Sequence, residues 1–338
     1  MSNTMPAAVW VGPDTIAYRD VPLPQIPPGW ALVEVAYTGI CGTDLSIVHG
    51  AHPRARPGLI LGHEISGTVA QAGDGGPKAG TPVVVEPLIS CGKCLACRSG
   101  ATHVCRELGL YGIDLPGSLA KYVALPPAVL HEVPGDVDPL LATWIEPLAV
   151  AVHAVDLAQI SPGDVVGIAG AGPVGLLTAL VARADGAEVV ISEPSDVRRA
   201  VAQDLGFAVV PPESTLSAEL AARTAGEGGD IVCDASGHPA TALEITKAAR
   251  VHGKLVIVGV HKGADPLDLR DMSFKELSMV GVRVYTTADV RRAIELVAAD
   301  ALDLRRLPVK VFGLNQVAQA FDAAAAAAYL KVMVSSNG

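Results

Sequence analysis

Aromatic side chains are scarce in this chain of 338 residues. Phe, Trp and Tyr together make up 4%, so the core must be filled by Val, Leu, Ala and Ile. Charge is sparse too, at 18%, and no basic run exceeds a few residues. With a formal net charge of −10, the chain has little to offer a nucleic acid or an anionic membrane, and neither is an expected partner. Met1 to Pro13 lacks a basic region followed by an apolar core, so no secretory signal is expected and the protein is expected to be cytoplasmic. Long apolar runs are rare. One, Val165 to Ala182, carries no charge, but Gly167, Gly170, Gly172, Pro173 and Gly175 interrupt it. A buried strand, a glycine turn and a buried helix explain that run better than a membrane span.

What is present is enough apolar residue, 50%, to build large cores. The length suggests about two domains of roughly 100–200 residues each. Six cysteines occur, and four of them crowd into residues 91–105. Cys91-x-x-Cys94-x-x-Cys97, then Cys105, supplies four soft ligands for a closed tetrahedral site, which would be structural because no position is left open. A second constellation joins Cys41-Gly42-Thr43-Asp44 to Gly62-His63-Glu64. A thiol, an imidazole and a carboxylate, each bracketed by glycine, are ligand chemistry for zinc. Asp44 is placed to accept a proton from the His63 ring and fix its tautomer. Thr43, two residues from a ligand, could pass a proton onward.

The second half changes character. Val165–Ala169 reads as a buried strand and Leu176–Arg183 as a helix, with Gly170-Ala171-Gly172-Pro173-Val174-Gly175 between them. That is G-x-G-x-x-G in the setting that makes it informative, a strand before and a helix after. It points to a dinucleotide whose pyrophosphate meets free amides at the helix start. Glu193 ends the next strand, where an acid would bind the adenosine ribose and repel the extra phosphate of NADP; NAD is therefore expected over NADP. Further strands are expected at 230–234, 253–259 and 278–285, with helices between, which implies a parallel doubly wound sheet. A helix is expected over 315–328 and a last strand over 332–334.

Cys41-Gly42-Thr43-Asp44 followed by Gly62-His63-Glu64-x-x-Gly67, with Gly73 beyond, resembles the zinc-containing medium-chain alcohol dehydrogenase family. The chain departs from its pattern at Gly76 and Gly80-Thr81-Pro82, in a surface loop. The resemblance implies an α/β fold: a doubly wound parallel Rossmann sheet plus a β-rich GroES-like catalytic domain. It implies a catalytic zinc domain over 1–149 with the structural-zinc lobe at 91–105, an NAD-binding domain over 150–286, and a return to the catalytic domain over 287–338. It places Glu146 where the polyol and diol branches carry a glutamate, and leaves open whether Glu64 or Glu146 is the direct zinc ligand. By the same resemblance His49 matches a proton-relay base, Arg198 lies beside the adenine, and Val258 and Gly259 flank the nicotinamide. Two zinc ions per chain and NAD are implied, with a polyol, sugar alcohol or vicinal diol as substrate. Alternatives are an L-threonine 3-dehydrogenase-like or amino-alcohol enzyme, and a non-catalytic NAD or zinc sensor. A homodimer or homotetramer is expected.

Overall fold

The computed structural model describes residues 3–336. The chain begins with an antiparallel pair, β1 (Thr4–Gly12) and β2 (Thr15–Pro22), and then β3 (Ala31–Gly39). Alternation buries Ala31, Val33 and Val35 on one face of β3, the period-two pattern of a sheet with one face on a core. Helix α1 (Gly42–Val48) follows, then β4 (Leu59–Ile60), β5 (Glu64–Gln71), β6 (Pro82–Val85) and β7 (Leu88–Ile89). The cysteine-rich loop holds only the short α2 (Leu95–Arg98) and returns through β8 (Gly109–Leu110), which pairs with β7. Strands β9 (Tyr122–Leu125) and β10 (Leu130–Glu132) and helix α3 (Pro139–Ala142) lead into α4 (Ile145–Ala158).

A regular α/β alternation comes next. It runs β11 (Val165–Ala169), α5 (Pro173–Ala184), β12 (Glu188–Ser192), α6 (Asp196–Asp204), β13 (Ala208–Val209), α7 (Leu216–Arg223), β14 (Gly229–Asp234), α8 (Pro239–Ala248), β15 (Ala249–Ile257), α9 (Leu269–Phe274) and β16 (Ser278–Gly281). The six strands form one parallel sheet in the order β13-β12-β11-β14-β15-β16. Order reverses beside β11, the switch point where doubly wound sheets bind ligands. β11 is buried almost without interruption, as expected when helices cover both faces. Helix α10 (Thr287–Ala298), strand β17 (Val309–Gly313), helix α11 (Val317–Ala325) and strand β18 (Lys331–Ser335) complete the chain.

Contacts divide the chain into two units. One comprises Met1–Glu146, Thr286–Ala299 and Pro308–Gly338; the other, Pro147–Tyr285 and Asp300–Leu307. In the first, β18 pairs antiparallel with β3, and the sheet runs β10-β6-β5-β3-β18-β17. Its core gathers Val33, Val35, Ile65, Val69, Val83, Val85 and Leu125. In the second, Val190, Val232, Leu255, Leu216, Leu220 and Ile245 pack between sheet and helices. Each such aliphatic side chain contributes about 1.5–3 kcal/mol on burial, which is how a chain so poor in rings builds its cores. No helix among the described residues is long and apolar enough to cross a membrane.

Element boundaries shift from the sequence expectation, most plainly at β16, β15 and the alanine-rich helix. The strand expected to reach residue 285 stops at Gly281, and Val284, at φ +42°, could not have belonged to it, because an extended strand cannot contain that conformation. The strand expected at 253–259 is instead β15, from Ala249 to Ile257. The alanine-rich helix is shorter: a 3-10 turn occupies Leu314–Gln316, and Ala327 at φ +50° ends the run. High helix propensity does not carry a helix past a left-handed residue.

The glycine turn shows how tightly α5 sits on β11. A Cβ on Gly175 would lie 2.0 Å from the Gly170 carbonyl oxygen, whereas one on Gly281 would meet nothing within 4 Å. Gly175→Ala is expected to destabilise the second unit by about 1–3 kcal/mol or more, and Gly281→Ala to be neutral within about 1 kcal/mol. Thermal unfolding of the two variants checks this; equal melting temperatures would contradict it.

Candidate functional site

Three strand ends converge in the first unit. β3 ends at Gly39, and Cys41 follows as the residue that starts α1. Gly39 pairs with Glu64, the first residue of β5, and His63 immediately precedes it. The donor atoms of Cys41, His63 and Glu64 all lie within 4.8 Å of one another. His63 and Glu64 are buried and Cys41 is half-buried. Ligands on a tetrahedral zinc stand about 3.3–3.8 Å apart, given metal–ligand distances of about 2.0–2.3 Å, so these side chains need only a small closure to grip one ion. Gly39 is required here for space: a Cβ on it would fall 1.9 Å from Glu64 Oε2.

The third strand supplies a residue that the sequence reading missed. Lys331, the first residue of β18, is 4% exposed. Its Nζ donates to Glu64 Oε1 at 2.5 Å and lies 2.5 Å from Oε2. Burial would lower the Lys331 pKa, but Glu64 foremost, then Cys41 and Glu146, raise it, so the amine is held as an ammonium. The hint in the sequence was a lysine at the head of an otherwise apolar strand, Lys331-Val332-Met333-Val334.

Asp44 is fully buried and braces the site. Its Oδ2 accepts from the Cys41 amide at 2.9 Å and its Oδ1 from the Gly62 amide at 3.3 Å. Oδ1 also lies 3.5 Å from His63 Nδ1. Burial works against a proton on His63, yet Asp44 and Cys41 together raise its pKa well above the ordinary value. An environment that favours positive charge on that ring also favours a cation bound to it. Thr43 Oγ1 stands 3.9 Å from Cys41 Sγ. His49 closes α1 at the surface, its side chain 58% exposed, with Nδ1 2.7 Å from Asp14. Glu146 lies in the first turn of α4, outside the three-donor cluster, though close enough to act on Lys331.

The four clustered cysteines also converge. Sγ separations are 3.5 Å for Cys94–Cys97 and 3.9 Å for Cys91–Cys97 and Cys94–Cys105. Four sulfurs at about 2.3 Å from a zinc ion stand about 3.8 Å apart, and all four thiols are free of disulfides. Amides at Cys97 and Arg106 bring the Cys94 thiol down to about 6, while burial foremost takes Cys97 up to about 11. The Cys105 sulfur accepts from the Cys91 and Glu107 amides at 3.3 Å each. Such amides stabilise thiolate, the form that binds metal.

In the second unit, Gly170 adopts φ +108° and Gly172 caps α5, with Pro173 in its first turn and Val174 and Gly175 after it. Glu193 is buried, and its carboxylate is already engaged: Oε2 accepts from the Ala171 amide at 2.7 Å and Oε1 from the Ser195 amide at 2.9 Å. This bracing of the turn is a role that no local pattern around Glu193 signals. Arg198 reaches toward Gly172, and its buried Nε has no hydrogen-bond partner. Arg199 bonds the Glu193 and Pro194 carbonyls and pairs with Asp196. The Val258 and Gly259 amides donate to the Asp234 carbonyl at 2.9 and 2.8 Å.

Residues 27–135 match the family model described as the alcohol dehydrogenase GroES-like domain, and residues 173–299 match the zinc-binding dehydrogenase model. The chain is 41% identical over 297 residues to 2-dehydro-3-deoxy-L-galactonate 5-dehydrogenase of Pseudoalteromonas atlantica, covering 87% of each chain. It is 38% identical to L-threonine 3-dehydrogenase of Pyrococcus horikoshii, covering 78% of each. A zinc-binding dehydrogenase from Sinorhizobium meliloti bound to NADP superposes with a TM-score of 0.92 at 34% identity, over 99% of this chain and 100% of that one. On these matches, which span both the β-rich part and the parallel sheet, the chain belongs to the zinc-containing medium-chain alcohol dehydrogenase family.

Proposed function

We propose that the protein is a zinc-dependent dehydrogenase that transfers a hydride between NAD and the secondary alcohol of a polyhydroxylated substrate. The observation that carries this is the convergence of one thiol, one imidazole and one carboxylate within 4.8 Å, in a family whose members are dehydrogenases. Cys41, His63 and Glu64 are the residues that would hold the ion, with Glu146 near enough to share in it. Bound there, zinc would act as a Lewis acid on the substrate oxygen. Asp44, with Oδ1 3.5 Å from His63 Nδ1, is placed to orient the ring so that Nε2 would serve the ion. Lys331 offsets one of the negative charges gathered around it. The Thr43 hydroxyl could relay the proton that the alcohol loses, giving up its own as it accepts that one, and the exposed imidazole of His49, 2.7 Å from Asp14, could exchange a proton with water at the surface. Cys91, Cys94, Cys97 and Cys105 hold a second zinc that staples their loop.

The polyol or sugar-acid substrate is supported by the Pseudoalteromonas relative, whose name specifies a sugar acid. A second reading, an amino alcohol such as L-threonine, is supported by the Pyrococcus relative and by Glu146, a carboxylate able to accept an ammonium. Glu193 supports NAD: its buried charge at the end of β12 disfavours a 2′-phosphate, although the Sinorhizobium neighbour holds NADP. Self-association through the edge strand β16 is supported by exposed Met279, Leu269 and Phe274 nearby. Free thiols in the cysteine lobe fit a reducing compartment such as the cytoplasm.

Metal analysis of the purified protein is expected to give about two zinc ions per chain. Cys41→Ala should retain about one and lose roughly a thousandfold in kcat/KM. Turnover assayed on sugar alcohols, sugar acids, vicinal diols and L-threonine identifies the substrate class, and activity confined to primary alcohols would overturn the proposal. Lys331→Met leaves Glu64 as a buried unpaired charge and should cost about 3–5 kcal/mol of stability in the metal-free protein; Lys331→Arg should recover part of it, measured by denaturant unfolding. Glu193→Gln should lower the preference for NAD over NADP by about tenfold in kcat/KM, and an unchanged ratio would remove Glu193 from cofactor choice.

A further inference from the structure

At the carboxyl ends of β14 and β15, three titratable side chains form a closed cluster that the site described above does not use. Asp234, the last residue of β14, is fully buried. Its Oδ1 accepts from the Ser236 amide and hydroxyl, both at 2.8 Å, and from the Gly237 amide at 3.0 Å. Its Oδ2 faces His261 Nε2 at 2.9 Å. The other ring nitrogen, Nδ1, faces Asp265 Oδ2 at 2.6 Å. With a carboxylate oxygen on each side, the ring is satisfied as an imidazolium donating from both nitrogens.

This cluster ties two turns into one body. Val258 and Gly259 donate their amides to the Asp234 carbonyl, so the same residue grips the second turn by its backbone and His261 by its side chain. The turns are in close contact: a Cβ on Gly259 would fall 2.2 Å from the Gly237 amide nitrogen. Asp265 reaches back from the segment that leads to α9 and closes the loop from its far side.

We propose that His261 is a positioning residue for the cofactor: by bridging Asp234 and Asp265 it holds the Val258–Val260 turn against Ala235–Gly237, the strand ends that receive the nicotinamide half. This rests on the dehydrogenase function proposed above. Both nitrogens of the side chain are taken up by carboxylates, so its effect on a cofactor would pass through the backbone it holds.

The bridge is sensitive to pH. Hydrogen bonding to Asp265 foremost, opposed by partial desolvation and aided by Asp234, raises the His261 pKa above its ordinary value. A histidine whose folded pKa is raised stabilises its surroundings fully below the ordinary value of about 6.5, and that contribution fades as pH climbs through the raised one. The charged groups facing the ring are Asp234 and Asp265. Cys233, next to Asp234, is pushed by burial to about 12 and stays neutral. His238, beyond the Ser236 turn, caps the Ala240 amide with its Nδ1. Once the ring is neutral, one of its nitrogens presents a lone pair to a carboxylate, and the bridge opens on that side.

Titration of NADH by fluorescence, from about pH 6 to about pH 9, tests this on the intact protein, alongside amide exchange over residues 258–265 without cofactor. In the wild type the Kd for NADH should rise about tenfold across that range. His261→Gln should bind about tenfold more weakly at the acid end and lose that rise, with kcat at saturating cofactor within about twofold. Exchange over 258–265 should be faster in the variant. Asp265→Asn, which keeps an acceptor but loses the charge, should move the midpoint of the rise to lower pH. If His261→Gln does not fold, an unshifted midpoint in Asp265→Asn overturns the inference. It is equally overturned if His261→Gln binds NADH with the wild-type affinity and pH profile. Wild type that binds neither NADH nor NADPH would instead bring down the proposed function itself.

Discussion

The buried ion pair between Lys331 and Glu64 is the constraint around which the first unit is arranged. Its partners are 267 residues apart in sequence, and it forms only when β18 has come back to lie along β3. Two charges removed from water are costly unless each satisfies the other. The pair therefore penalises any arrangement in which the C-terminal strand is missing or out of register. A one-residue slip of β18 would turn Lys331 to the other face of the sheet and strand the glutamate. The same contact sets the electrostatics beside Cys41 and His63, so the chain's closing strand and its donor set are built as one feature.

The two cysteine-containing sites reach order by different routes. Around Cys41, order comes from the sheet: two strand ends and the start of α1 fix the donors, and Asp44 ties their backbones together. In the loop over 91–105 there is little sheet or core to lean on. Four sulfurs and the amides aimed at them take that place. A closed thiolate site supplies rigidity that a loop of this composition lacks. The first arrangement leaves a carboxylate shared between an ammonium and a prospective ion; the second leaves no donor to spare.

Much of this architecture could be read from the residues. Strand, glycine turn and helix around Gly170–Gly175 were recognisable because three glycines have separate steric tasks at fixed spacing. The cysteine lobe was recognisable because ligand spacing in a loop is a local property. Cys41, His63 and Glu64 were linked by motif, and the structure brings their donor atoms together. What could not be read is non-local. Lys331 reaches Glu64 only through sheet pairing, and no local pattern marks a lysine as the partner of a glutamate far upstream. His261 and Asp265 look like ordinary loop residues until the end of β14 brings Asp234 to the far side of the His261 ring. Element ends were missed where a single left-handed residue, Val284 or Ala327, overrode a favourable pattern.

The double engagement of Glu193 constrains which changes this turn can absorb. Its carboxylate is a tie-rod for the Ala171 and Ser195 amides. A change that deletes the carboxylate therefore removes a brace of the glycine turn along with the charge. Replacement of the brace has to come first, or arrive in the same step. A lineage that replaces Glu193 should carry compensating changes around Gly170–Gly175.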